Sequence, residues 1–272
     1  IYEEIKNDES KFAVLPIPIG GTGDMSLMSD PRVLYHQIHH EKPIYGGYES
    51  RASYETTASV HTYFLNMFHK LGSNNDVIKQ DLATHGLSLF DYFDIKYVTL
   101  HKELATSSKI ANIRQLMSEI LSGDSPVYDD DRIVVYKIPK PNSSEPFLLL
   151  GSGWHVFDPE YDIRTTMKNS EILIVNPTNS EIYVTLNLVL SSLEKEKVIT
   201  ISVNNIESSR VNIHPTFQNI QLENLMLKSG VNVVTFDADE FLSVEYGLEG
   251  SKTGKWQETT ANFQVKSISI QP

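Results

Sequence analysis

The run Tyr35-His36-Gln37-Ile38-His39-His40 holds the densest set of chemistry-bearing side chains in this 272-residue chain. On a helix, His36 and His40 lie four apart on one face, with His39 three from His36, a spacing that can grip a divalent metal. A metal-dependent hydrolase built on His36, His39 and His40 is therefore one reading. No Glu follows the first His as the HExxH pattern requires, and imidazoles are also favourable beside the last carbonyls of a helix. Directly after comes Lys42-Pro43-Ile44-Tyr45-Gly46-Gly47-Tyr48-Glu49-Ser50-Arg51. Paired glycines let a backbone approach a ligand closely, and the flanking Lys and Arg can hold a phosphate or an acidic sugar. The expected ligand-binding groups are thus Gln37, His40, Lys42 and Arg51 around a floor of Gly46 and Gly47; a tight surface turn is the plainer alternative.

Trp154 offers an indole that either stacks on a sugar or fills a core. Behind it, Asp158, Glu160 and Asp162 alternate as calcium ligands do, whereas the consecutive Asp129-Asp130-Asp131 diverge and suit a hairpin turn. Calcium at the alternating set is the one cofactor expectation. Gly20-Gly21-Thr22-Gly23 lacks the Lys-Ser/Thr ending of a phosphate-binding loop. No catalytic residue is assigned: triads are recognised by geometry, and 35 acidic residues leave any carboxylate pair unidentified.

Composition narrows the classes. Lys and Arg number 23 against 35 Asp and Glu, a net charge of −12 that argues against a nucleic-acid surface. With 40% apolar residues the chain can build packed cores, and no run approaches the length of a membrane span. Cysteine is absent, which removes disulfides, thiolate metal sites and thiol nucleophiles. The first residue is Ile rather than Met, so the expectation is a fragment or a processed product.

The elements that must position these groups change character near residue 140. Before it, short apolar runs (Phe12 to Ile19, Ile95 to Leu100) alternate with helical periodicity at 60–71, 77–93 and 110–121, the last capped by Ser107 or Ser108. Residues 127–138 read as a hairpin around the Asp triplet. Lys137 to Pro146, with three prolines, reads as a linker. After it come about eight strands, Tyr183 to Leu188 alternating polar and apolar, with turns at Asn176-Pro177, Asn204-Asn205 and Ser229-Gly230. Gly247 to Thr260 reads as a long loop. The expected fold is α+β in two domains: an α/β layered domain over 1–140 and a jelly-roll-like β-sandwich over 146–272.

Several segments, taken in order, resemble a known family. YHQIHHEKPIYGGYESR, then Tyr97-Val98-Thr99-Leu100-His101, then VYDDDRIVVYKI, are similar to the soluble C-terminal region of GT-C-type membrane glycosyltransferases of bacteria and archaea. Gly153-Trp154, Arg164, Asn176-Pro177 and Gly230-x-Asn232 match the β-sandwich that often closes those proteins. The resemblance implies an extracytoplasmic location and a polyprenyl-phosphate-linked sugar or other glycan as partner. It also implies a membrane-embedded remainder of the same polypeptide holding the catalytic acids, so that this region aids glycan, acceptor or partner recognition without catalysis. The alternative is a free-standing carbohydrate-binding protein built on the sandwich.

Overall fold

The structure, a computed structural model, describes residues 1–19, 31–45, 63–69, 76–155, 157–238, 242–247 and 256–271. They group into two compact units. The first holds 1–19, 31–45, 64–69 and 81–143, and the second holds 76–80 with the residues from Ser144 onward. Between residues 138 and 146 there is neither helix nor strand.

In the first unit α1 (Tyr2–Asn7), β1 (Ala13–Ile17), α2 (Pro31–His40), α3 (Tyr63–His69), α4 (Leu82–Tyr92), β2 (Ile95–His101), α5 (Ser107–Ile120), β3 (Tyr128–Asp129) and β4 (Ile133–Lys137) follow in order. The sheet runs β1-β2-β4-β3 and is mixed: β1 and β2 are parallel, the other pairs antiparallel. On one face Ile5 of α1 joins Phe12, Val14, Tyr97, Ile133 and Val135 in a buried cluster. α4 packs on β2 and α5 on α4. Gly86 inside α4 has a reason: a Cβ there would meet Cγ2 of Ile120 at 2.7 Å, so only glycine admits α5 this close.

Two helix starts differ from expectation. Thr106, not Ser107 or Ser108, caps α5 by accepting from the amide of Lys109. The helix expected from Val77 begins at Leu82, because the Asp81 carboxylate accepts from the amides of Ala83 and Thr84. Val77 and Ile78 are instead extended and belong to the second unit.

That unit contains β5 (Phe147–Leu150), β6 (Arg164–Thr165), β7 (Ser170–Asn176), β8 (Ile182–Ser192), β9 (Lys197–Val203), β10 (Ile206–Ile213), β11 (Gln218–Leu227), β12 (Gly230–Ala238), β13 (Leu242–Gly247), β14 (Trp256–Ala261) and β15 (Phe263–Gln271). Among the described residues they form sheets β10-β9-β12-β7-β5 and β11-β8-β15-β6, antiparallel throughout, and a β13-β14 ribbon. The two larger sheets face one another: Ile199, Ile201, Val234 and Phe236 are buried on one, Val184, Leu186, Leu188, Leu190 and Phe263 on the other. The Phe236 and Phe263 rings meet edge to face across the gap at 6.1 Å. This is a β-sandwich. The loop expected from Gly247 to Thr260 is corrected in part, since Trp256 to Thr260 pair with Gly247 back to Ser243 as strands.

Residues 76–80 close one side of this sandwich. Val77 and Lys79 exchange backbone hydrogen bonds with Ile268 of β15, and the Gln80 side chain bonds both backbone groups of Leu148 on β5. The anchor is Asp76. Its carboxylate takes the Arg164 guanidinium in two bonds of 2.7 and 2.5 Å, and Arg164 also donates to the His155 carbonyl at 2.9 Å. Both side chains are almost wholly buried.

Removing one partner of such a pair strands the other charge in the core. Arg164→Ala is expected to lower stability by about 3–5 kcal/mol. Arg164→Lys, which cannot fork, should recover little of it. Urea denaturation followed by far-UV circular dichroism checks this; an unchanged midpoint for Arg164→Ala would refute it. Gly153 sits at φ 81 with the Ser170 backbone 2.6 Å from an added Cβ, so Gly153→Ala should cost more than about 1 kcal/mol by the same measurement.

Candidate functional site

The structure brings Gln37, His40 and Lys42 together at the end of α2. The Gln37 amide donates to the Lys42 carbonyl at 3.1 Å, and the Lys42 backbone N–H donates to Nδ1 of His40 at 3.1 Å. The Lys42 ammonium donates to the Asp8 carbonyl and lies 5.0 Å over the Phe12 ring. These groups therefore bind one another and staple the turn after the helix, in which Glu41 takes a φ of 55. Gly46, Gly47 and Arg51, like Gly20 to Gly23, lie outside the described residues.

The histidines form a cluster with two residues from elsewhere in the chain. His36 stacks on His101, at the end of β2, with centroids 4.7 Å apart, and the Tyr2 ring lies 5.5–6.0 Å from His36, His39 and His40. His40 and His101 are each 3% exposed. Burial first, then repulsion from His36, His39 and Lys42, holds His40 at about 4. Burial and the neighbouring His36 and His40 hold His101 at about 4, and burial also lowers His36. Burial, with Asp130 and Glu103 nearby, pushes the Tyr2 phenol up to about 12. Nδ1 of His36 is buried without a hydrogen-bond partner. Stacked faces do not converge lone pairs on one point, and among the described residues no group of three His, Asp or Glu could hold a metal ion. The hydrolase reading of His36, His39 and His40 fails on that geometry; the cluster is an aromatic stack in which burial favours the neutral forms of His40 and His101.

Asp158 and Asp130 are spent on backbone amides, Asp162 and Asp129 on cationic side chains. Asp158 accepts from the amides of Glu160 and Tyr161 in a turn, and Asp162 sits 3.8 Å from the Lys79 ammonium. Asp158, Glu160 and Asp162 do not face a common point, so they do not fit calcium. Asp130 caps the hairpin turn at the amides of Arg132 and Ile133, while Asp129 pairs with Lys102 and Arg114 at 2.6 and 2.7 Å. The Trp154 indole is 4% exposed and donates to the Glu171 carbonyl at 2.6 Å, which makes it core and not a stacking platform. A cleft of about 310 Å³ in the first unit is lined by Ser10, Phe12, Asp94, Lys96 and Lys140. Two of its lysines are already paired, Lys96 with Asp8 at 2.5 Å and Lys140 with Asp91 at 2.6 Å.

The outer face of the β11-β8-β15 sheet is different. Successive residues of a strand point to opposite sides, so the partners of the buried Val184 to Leu190 row point outward. Registers align Gln221, Asn187 and Ser269 in one row and Asn219, Val189 and Ser267 in the next. Thr185 pairs with Gln271, and Tyr183 with Met226. Glu223 and Lys266, both exposed where the register shifts, add one acid and one base of opposite sign to this face. Tyr183 is 61% exposed at one end of the face. Phe217, 43% exposed, directly precedes β11 at the other end, where Gln218 pairs with Leu190, and the Lys266 ammonium lies 5.7 Å over its ring. Neither the Asn187 nor the Gln221 side chain is used in a hydrogen bond among the described residues. Sequence reading found β8 by its alternation but not these rows, because which amides stand side by side is set by registers between distant strands.

Because His40 and His101 titrate below their ordinary 6.5 in the folded chain, the unfolded chain binds protons more readily as pH falls. Their contribution is complete above pH 6.5 and is lost between there and about 4, at about 1.4 kcal/mol per unit of depression. Denaturation midpoints measured from pH 7 to 4.5 should fall for the native chain and fall less for His101→Phe. Parallel curves would show that the cluster does not titrate this way.

No protein-family model and no curated protein matches the chain. Among solved structures, the CBM36-1 domain of a multidomain xylanase from the hindgut metagenome of Trinervitermes trinervoides aligns at 8% identity, covering 44% of this chain and 96% of that one, TM-score 0.28. A family 35 carbohydrate binding module from Clostridium thermocellum aligns at 11% identity over 45% of this chain and 91% of its own, TM-score 0.24. A ruminal GH26 endo-beta-1,4-mannanase aligns at 13% identity and TM-score 0.25 over 44% of this chain, which spans only 19% of that protein. Likenesses this loose carry no argument about function, and they add nothing to the glycosyltransferase resemblance.

Proposed function

We propose that the chain is a carbohydrate-binding protein whose β-sandwich carries the recognition surface. The observation that supports this reading is the outer face of β11-β8-β15. It sets uncharged amides and hydroxyls side by side, free to exchange hydrogen bonds with sugar hydroxyls, and exposes an aromatic ring at each end for stacking. In a chain of net charge −12, a strip with one acid, Glu223, against one base, Lys266, suits a neutral ligand better than an anionic one. Alternation of consecutive strands between the two sheets, from β5 through β9, supports the finer description as a jelly roll. The wider setting, an extracytoplasmic region that serves a polyprenyl-phosphate-sugar glycosyltransferase, is supported by the order of sequence motifs alone.

Isothermal titration of the full chain against a panel of neutral plant and microbial polysaccharides tests the proposal. Saturable binding to at least one is expected, weakened by about tenfold in Asn187→Ala/Gln221→Ala, which removes two amide bonding partners. Absence of saturable binding across the panel overturns it.

A further inference from the structure

The two exposed rings on the sandwich face are far apart, and that separation says something about ligand size. From Tyr183 to Leu190, the partner of Gln218 next to Phe217, β8 advances seven residues, and at about 3.3 Å per residue this is about 23 Å. No mono- or disaccharide reaches from one ring to the other. The hydroxyl and amide rows, Thr185–Gln271, Gln221–Asn187–Ser269 and Asn219–Val189–Ser267, fill the interval without a gap in hydrogen-bonding capacity. Glu223 and Lys266, both exposed at β-bulges on this face, carry opposite charges and leave it without a run of either sign. The face is therefore a long hydrogen-bonding track of balanced charge with an aromatic group toward either end.

Resting on the carbohydrate-binding reading, we propose that this track takes the interior of an extended neutral polysaccharide, several sugar rings long, lying along β8 with one ring stacked near Tyr183 and another near Phe217. Charge supports this occupant. An acidic glycan would need cations along its length, and the face offers Lys266 alone, already over the Phe217 ring. A protein partner would call for an apolar centre, whereas the centre here is Asn187 flanked by Gln221 and Ser269. Chain ends are not required, because nothing on the track caps a terminal sugar.

The test uses the full chain and a length series, from disaccharide to hexasaccharide, of the neutral polysaccharide it binds best. Titration calorimetry should show affinity rising by more than about tenfold across the series. Tyr183→Ala and Phe217→Ala should each remove about tenfold of the hexasaccharide affinity, because both side chains are exposed and their loss leaves the core intact. Two results would overturn the inference while sparing the binding reading: equal affinity for disaccharide and hexasaccharide, or hexasaccharide binding indifferent to both variants. Absence of binding by any polysaccharide overturns both. Concentration-dependent self-association in sedimentation velocity, abolished by Tyr183→Ala, would assign the face to a second copy of the chain and overturn the inference as well.

Discussion

The second unit depends on an ion pair that has no water around it. Asp76 and Arg164 are each about 1% exposed, and burying two opposite charges is tolerable only when nearly every donor and acceptor is used. The geometry meets that demand. The carboxylate receives Nε and Nη2 of the guanidinium and the Val77 amide, and the remaining Arg amino group goes to the His155 carbonyl. What the pair accomplishes is placement. It fixes a short segment, distant in sequence from the sandwich, beside β6, and Val77 to Gln80 then satisfy backbone on β15 and on β5. Sheet margins that would otherwise offer unpaired backbone groups are partly covered.

Much of this architecture was legible in the residues, and what was not has a physical reason. β8 announces itself because one face is buried and the other is not, and α5 because its apolar residues recur with helical spacing. Val77 and Ile78 read as helix in the sequence because two adjacent apolar residues before a helical run look like its first turn; only the Asp81 cap and the distant Ile268 decide otherwise. β14 escaped because Trp256 to Thr260 is polar and shows no alternation, its pairing being settled by β13. The histidine run was visible, yet its character was not, since Tyr2 and His101 complete the cluster from other elements.

The same residue type serves two purposes in the sandwich, and burial separates them. Asn176, in a turn evident from sequence, and Asn232, just past the Ser229-Gly230 turn, are fully buried and hold loops through bonds to Ser180, Lys228 and Gly230. Their amides are consumed by the fold. Asn187 and Gln221 are ordinary strand residues in sequence, but the pleat turns them away from the core. On the proposed reading, recognition falls to strand residues that the sequence does not single out, while Asn176 and Asn232 are architectural.

The bridge between Ile78 and Ile268 also bears on how the protein is made. During synthesis the stretch around Ile78 leaves the ribosome long before its partner on β15 exists, so Asp76 and the apolar side chains beside it must wait, unsheltered, for nearly two hundred later residues. Closure of the sandwich is then a late event that joins sequence-distant partners, and such long-range pairing is slow to form. A nascent chain in that waiting interval exposes apolar surface, the condition under which incomplete β-structures aggregate.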